Sequence, residues 1–298
     1  MYTSTHTMVV VPQTTAASRP ALVFRLPISS AVPSQQAQAE DEGKGAQGEA
    51  NGDNAEAAKK HHKSFPQPKL RLEIRDLGHS GATKFLGAVN AGDVLSAAVA
   101  NVQRLLYRSP ADPHTTMPPT RSVTVILRDM GGVAYTTGTD LDNDHKEIHF
   151  SLNYINSINP ASRLTSEITG VLTHELVHCY QWNALGTCPG GLIEGIADWV
   201  RLNCDLSPPH WKRETTGDWD GGYQHTAYFL EYLESRFGSG TIRSVNEKLR
   251  LHRYQAKPFW TELLGRPVEQ LWGDYVEKTT PSSSTTTVTV TVDEGTQT

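Results

Sequence analysis

The chain has 298 residues, of which 37% are hydrophobic and 20% are charged, and its formal net charge is −5 at pH 7. This acidic balance, without a dense stripe of Lys and Arg, argues against a nucleic-acid-binding protein. No apolar run approaches the roughly 18 residues of a transmembrane helix, so we expect no membrane partner.

The composition changes along the chain. Residues 1–66 contain few aromatics and are rich in Ala, Ser, Gln, Gly and Glu, which predicts a disordered N-terminal segment. Residues 279–298 are rich in Ser and Thr and lack aromatics, which predicts a disordered tail, although the alternating Val and Thr of residues 288–292 also permit an edge strand. Residues 67–278 carry all six Trp and are long enough to bury a sizeable core, so we expect one folded domain there.

The predicted elements follow in chain order. Alternating polarity indicates strands at residues 70–74, 122–127 and 147–152, and an apolar face indicates a helix at 94–107. After Pro160 the pattern becomes helical, at about 165–184, 191–204, 222–237, 241–252 and 267–277. Strands first and helices afterwards favour an α+β fold, with a small N-terminal sheet and a helical C-terminal half.

Cysteine use and the N-terminus bear on the cellular compartment. Three cysteines are too few for a disulfide framework, but the sequence permits one bridge, between Cys188 and Cys204. The N-terminus lacks the apolar stretch of a signal peptide, which by itself predicts a cytoplasmic protein.

The motif His-Glu-x-x-His occupies residues 174–178, inside the helix predicted for 165–184. Residues four apart share a helix face, so His174 and His178 project side by side, where both imidazoles can reach one Zn²⁺. Glu175 can then reach a water on the metal without being a ligand, which is the general-base position of zinc-dependent peptidases. The alternative is a pair of hydrogen-bonded histidines in the core.

A catalytic zinc site usually has three protein ligands and a water. The metzincin pattern fails, because its later Gly and His positions are Gln181 and Ala184. The next predicted helix places Glu194, Asp198 and Arg201 on one stripe among apolar residues. If the two helices pack antiparallel, Glu194 completes a His₂Glu set, and Asp198 accepts the N–H of a ligating histidine. The alternative is a structural ion pair of these carboxylates with Arg201.

This ligand set predicts one Zn²⁺ as cofactor, which lowers the pKa of a bound water toward ~7. Glu175 then serves as general base and returns the proton to the leaving amine. A further donor to the developing oxyanion is expected, and Tyr223 and His225, at the start of the following helix, are the candidates.

The pattern at residues 174–178, followed by Glu194-x-x-x-Asp198, is similar to that of gluzincins such as thermolysin-like peptidases. Residues 175–203 resemble the basic secretory protein family of plants and fungi more closely, and the likeness continues through 219–223, 226–232 and 271–272. The resemblance implies a zincin-like fold, a peptidase acting on peptides or proteins, a role in defence, and secretion. The resemblance does not indicate an oligomeric state. The secretion that it implies conflicts with the cytoplasmic location that the N-terminus predicts.

Two other functions remain open. One is a non-catalytic defence or binding protein on a zincin scaffold, against which Glu175 argues because a structural zinc site needs no base. The other is a zinc hydrolase that cleaves a different bond, or an aminopeptidase.

Overall fold

The computed structural model describes residues 64–280, which contain a four-stranded sheet and a series of helices. The disorder predicted for residues 1–66 and 279–298 therefore falls almost wholly outside the described residues and stays a prediction. The strands are β1 (Lys69–Ile74), β2 (Ser122–Arg128), β3 (Ala134–Gly138) and β4 (His145–Ser151). The sheet order is β1-β2-β4-β3, in which β1, β2 and β4 are parallel and the edge strand β3 runs antiparallel to β4.

Alternating residues of the central strands supply one wall of the core. Val123, Val125 and Leu127 of β2 are fully buried, as are Ile148 and Phe150 of β4. These side chains belong to one hydrophobic cluster that also includes residues of the helices. The sheet thus buries one apolar face against helices, as the sequence alternation predicts.

The helices account for most of the remaining described chain. In chain order they are α1 (Ser80–Ala88), α2 (Ala91–Leu106), α3 (Leu152–Ser157), α4 (Leu164–His178), α5 (Gly190–Leu202), α6 (Tyr223–Phe237), α7 (Thr241–Lys248), α8 (Ala256–Leu264) and α9 (Val268–Thr279). The predicted α+β class, with a small sheet before a helical second half, is confirmed. Within residues 64–280, no single helix has the length and apolarity to cross a membrane, and the only candidate by length and composition is α1 with α2, bent by 67°.

Four elements were not predicted, namely α1, β3, α3 and α8. Helix α1 contains two glycines, which weaken a helical pattern, and α8 contains Pro258 in its first turn. Strand β3 has five residues, follows the glycines at 131–132 and ends at Gly138. Elements this short form because their neighbours hold them, so their own sequences indicate them weakly.

Helix α4 lies at the centre of the described domain and packs against α1, α2, α5 and β3. It ends at His178, six residues before the predicted end. The reason is tertiary, because beyond residue 181 backbone N–H groups bond outside the helix: Trp182 donates to Asn246 Oδ1 at 3.0 Å, and Ala184 donates to the carbonyl of Leu249 at 2.7 Å. These bonds turn the chain toward the start of α5.

The cysteines Cys179, Cys188 and Cys204 are all free thiols. The disulfide that the sequence permits between Cys188 and Cys204 is therefore not formed in this structure. Burial raises the pKa of all three thiols, so they are protonated at neutral pH.

Candidate metal centre

Helix α4 brings two imidazoles to one point. His174 and His178 lie one turn apart, and their Nε2 atoms are 3.2 Å from each other. The rings stand edge to face, with centroids 4.9 Å apart and planes at 83°. Because the helix fixes this separation, both Nε2 atoms converge on the same small volume.

Helix α5 adds a carboxylate to this volume. Glu194 Oε2 lies 3.1 Å from Nε2 of His174 and 3.7 Å from Nε2 of His178. Among residues 64–280, these three side chains form the group able to hold a metal ion. Donor atoms around a tetrahedral zinc with bonds of ~2.1 Å lie about 3.4 Å apart, so the observed separations fit one such ion.

The contacts between the two helices show why Glu194 faces the histidines. Position 167 of α4 contacts 201 of α5, and position 174 contacts 198 and 194, so the helices run antiparallel. Gly170 leaves room for the guanidinium of Arg201, because a Cβ there would lie 2.6 Å from it. Arg201 pairs with Glu167 of α4 at 3.1 Å, so its charge partner lies on the other helix and is neither Glu194 nor Asp198.

Asp198 orients the first histidine. Its Oδ1 lies 2.7 Å from Nδ1 of His174, and only 3% of Asp198 is exposed. The carboxylate accepts the Nδ1–H, which leaves Nε2 to face His178 and Glu194. The sequence predicts this contact for Asp198, toward a histidine proposed to bind the metal.

His174 and Glu194 shift each other's pKa, and Asp198 contributes to the shift of His174. Burial disfavours the charged form of His174, but the charge and hydrogen bond of Asp198, with the bond to Glu194, raise the pKa of His174 to about 10. Burial likewise opposes the charged form of Glu194, yet hydrogen bonds from His174 and His178 hold the pKa of Glu194 well below its usual range. A metal ion bound at Nε2 of His174 would take the place of its proton.

Glu175 is buried beside the two histidines and is held by the edge strand. The hydroxyl of Thr136 in β3 donates to Glu175 Oε2 at 2.7 Å and also lies 3.0 Å from the carbonyl oxygen of the same residue. Since Glu175 is 6% exposed, this hydroxyl fixes the carboxylate in a site with little water.

Tyr223 covers the cluster from the start of α6. Its ring stacks on His174, with centroids 6.0 Å apart and planes 13° apart, and the residue is 45% exposed. Burial, helped by the charges of nearby carboxylates, raises the pKa of Tyr223 to about 12, so its hydroxyl is a proton donor at neutral pH. The backbone of Tyr223 has φ +46°, a conformation that non-glycine residues rarely adopt.

A close backbone contact holds this tyrosine in place. At the start of α5, a Cβ on Gly191 would lie 1.7 Å from the carbonyl oxygen of Asp220. The absence of that Cβ lets the turn before α6 rest on α5, next to the turn of helix that carries Glu194. Backbone strain at a residue facing a cluster of ionisable groups is typical of functional sites.

His225 points to a different part of the domain. Its Nε2 lies 2.8 Å from the carbonyl oxygen of Asp218, and its Nδ1 lies 3.9 Å from a carboxylate oxygen of Glu214. The ring packs on Trp272 with a centroid distance of 5.0 Å. The structure thus brings Tyr223 to the cluster but gives His225 other neighbours.

Two neighbours of the motif were not predicted as parts of the site. Thr136 was missed because β3 was not recognised, and nothing in the sequence links residue 136 with Glu175. Gln181 was considered only as a metzincin position, whereas its Nε2 lies 2.8 Å from Nδ1 of His178. The position of Gln181, three residues after His178, was the sequence feature that could have indicated this contact.

The structure thus defines an α+β protein whose central helix carries a histidine pair facing a carboxylate. The chain belongs to the BSP family, described as "Peptidase of plants and bacteria", whose family model matches residues 67–275. It is accordingly a member of a peptidase family, and that membership implies peptide or protein substrates. Among curated proteins and among solved structures, no significant match is found.

Proposed function

We propose that this chain is a zinc-dependent peptidase in which His174, His178 and Glu194 hold one Zn²⁺ and Glu175 is the general base. The observation that carries the proposal is the convergence of two Nε2 atoms and one carboxylate oxygen, all within 4.8 Å of one another. Two imidazoles and a carboxylate are the protein ligands of a known class of catalytic zinc site. Such a set leaves one position of a tetrahedral ion for water or substrate.

Zinc bound here would supply a lowered pKa for the attacking water and polarisation of the scissile carbonyl. Glu175, held by Thr136, accepts the proton of the attacking water and then delivers it to the leaving amine. Tyr223, whose ring stacks on His174 and which keeps its proton at neutral pH, would donate a hydrogen bond to the oxygen that becomes negative. His225 is not proposed for this role, because its ring nitrogens face Asp218 and Glu214.

The edge strand offers a way to bind an extended substrate. Among residues 64–280, strand β3 pairs only with β4, so within this part of the chain its other edge is open to a peptide. The same strand carries Thr136, which contacts Glu175, so a peptide lying along β3 would pass close to the general base. The proposed substrate is therefore an unfolded segment of a protein or peptide.

The test begins with the metal content and activity of the purified full chain. We expect about one zinc per chain and cleavage of an unfolded protein such as casein, lost on chelation and restored by added zinc. The variant Glu175→Gln should keep its zinc and lose about 10²–10⁴-fold in kcat, the usual contribution of a general base. Glu194→Ala should lose bound zinc.

Three results would contradict the proposal. A chain without bound zinc would remove the cofactor, and a Glu175→Gln variant with full turnover would remove the base. A chain with zinc that cleaves no peptide bond would favour a binding protein or a hydrolase of another bond.

A further inference from the structure

The second histidine of the motif has a neighbour that the proposed reaction does not use. Gln181 lies just beyond the end of α4, where its backbone N–H donates to the carbonyl of Val177 at 2.8 Å. This bond brings its side-chain amide to the side of His178 that faces away from the cluster, with Nε2 2.8 Å from Nδ1. The amide therefore touches the ring nitrogen opposite the one that faces Glu194.

The role of this contact depends on which ring nitrogen of His178 carries the proton. Nε2 is the atom that faces His174 and Glu194, so a metal at the cluster would take the lone pair of Nε2. A neutral imidazole then carries its proton on Nδ1 and becomes a donor there. A donor at Nδ1 needs an acceptor, and an amide NH₂ group cannot provide one.

The other end of the amide is free to supply that acceptor. Gln181 Oε1 is buried and has no hydrogen-bond partner among the described residues. A half-turn of the amide about its last torsion angle exchanges NH₂ and oxygen, which have nearly the same shape. That rotation breaks no hydrogen bond of Oε1, and it replaces the contact at Nδ1 by one of the opposite polarity.

We propose that Gln181 is the positioning residue for His178, accepting the Nδ1–H through Oε1 when a metal occupies the cluster. The inference rests on the proposed metal site and goes beyond its ligands. Each histidine then has its own acceptor, the carboxylate of Asp198 for His174 and a neutral amide for His178. The neutral amide fixes the ring without adding a further negative charge to a site that already contains Glu175, Glu194 and Asp198.

The test compares two substitutions of similar length. In Gln181→Glu the side chain can only accept at Nδ1, whereas in Gln181→Met it can neither accept nor donate a strong hydrogen bond. The zinc dissociation constant is measured by competition with a chelating dye, on the full chain. We expect Gln181→Met to bind zinc about 10–100-fold more weakly, as for other residues that orient a metal ligand, and Gln181→Glu to bind at least as tightly as the native chain.

Matched controls separate this effect from folding. Gln270→Met, on an exposed position of α9, should leave the zinc dissociation constant unchanged. The melting temperature of each variant in excess chelator reports folding without the metal, and Gln181→Ala replaces Gln181→Met if the latter does not fold. A second readout is ¹⁵N NMR of the histidine rings in the zinc-loaded native chain, where His178 should carry its proton on Nδ1.

The outcomes distinguish this inference from the proposed function. If the native chain binds zinc and Gln181→Met binds it equally well, the positioning role is wrong while the metal site stands. If Gln181→Glu is as weak as Gln181→Met, the amide acts as a donor and the inference is also wrong. If the native chain binds no zinc, the proposed function falls and this inference falls with it.

Discussion

At the scale of single residues, the site consists of the groups proposed to bind the metal or to transfer protons, and of the groups that orient them. The motif supplies Glu175, but a carboxylate has several rotamers and is effective as a base only in one place. The hydroxyl of Thr136 lies 2.7 Å from Oε2 and limits the rotamers of this carboxylate. Thr136 belongs to β3, which is distant from Glu175 in sequence. A hydrogen bond to a charged group is worth about 1.5–3 kcal/mol, so its loss should be measurable in the reaction.

We therefore expect Thr136→Val, which keeps the shape and removes the hydroxyl, to lower kcat by about 10–100-fold with little change in KM. Zinc content should stay at the native level because Thr136 contacts no proposed ligand. Thr136→Ser restores the hydroxyl and should recover most of the activity. Steady-state kinetics with one peptide substrate checks this, and a Val variant with native kcat would contradict the role.

At the scale of elements, the site depends on how α4 packs against α5. Glu167 of α4 is 6% exposed and accepts hydrogen bonds from Arg201 at 3.1 Å, Arg163 at 2.9 Å and Tyr154 at 2.8 Å. Burial alone would raise the pKa of Glu167, but the charge of Arg201 and these hydrogen bonds together lower it below the usual 4.5. This network holds the helices together two turns away from the metal ligands.

Breaking the network should weaken the fold in a way that depends on pH. Since the pKa of Glu167 is lower in the folded chain than in the unfolded chain, its stabilisation is present above about pH 4.5 and is lost as the pH falls through the folded-state pKa. Glu167→Gln should therefore cost about 3 kcal/mol of unfolding free energy at pH 7, because it leaves Arg201 buried without its charge partner. Urea denaturation at pH 7 and at pH 3 checks this, with a smaller difference expected at pH 3.

A matched control comes from an exposed ion pair. Glu262, 64% exposed, pairs with Lys248 at 2.6 Å, and Glu262→Gln should change stability by less than about 1 kcal/mol at either pH. An equally large loss for both variants, or a loss for Glu167→Gln that does not shrink in acid, would refute the assignment.

At the scale of the whole molecule, the metal would join two helices that the fold already holds together. The core around α4 is a large cluster of buried apolar side chains that includes none of the proposed metal ligands, and Glu167 of α4 pairs with Arg201 of α5. The domain should therefore fold as the metal-free chain, and zinc should add to a stability that is already sufficient. This differs from small zinc-stabilised domains, which unfold without their metal.

Removal of zinc should accordingly lower the melting temperature and leave the chain folded. At a free zinc concentration 100 times its dissociation constant, binding adds about 2.7 kcal/mol, which corresponds to about 5–10 °C for a domain of this size. Far-UV circular dichroism with and without chelator measures both effects. Glu194→Ala should show no zinc-dependent shift, and unfolding on chelation at room temperature would contradict this view.

Much of the fold and of the site could be predicted from the sequence. Alternation identified β1, β2 and β4, and helical periodicity identified α2 and most helices after Pro160, because these elements bury wide apolar faces. Short elements such as β3 and α8 could not be recognised, and α4 was extended too far. Their limits depend on hydrogen bonds to distant residues, such as that of Trp182 with Asn246.

The sequence by itself determined the chemical groups and their local spacing, because four residues along a helix put His174 and His178 on one face. It also indicated Glu194 of the next helix as the candidate for the third member of the cluster. Only the tertiary structure decided that Glu194 meets both rings, that the ring of Tyr223 stacks on His174 and that His225 turns away. The physical reason is that those distances depend on how helices pack, through contacts such as Gly170 with Arg201 and Gly191 with Asp220, which no local pattern encodes.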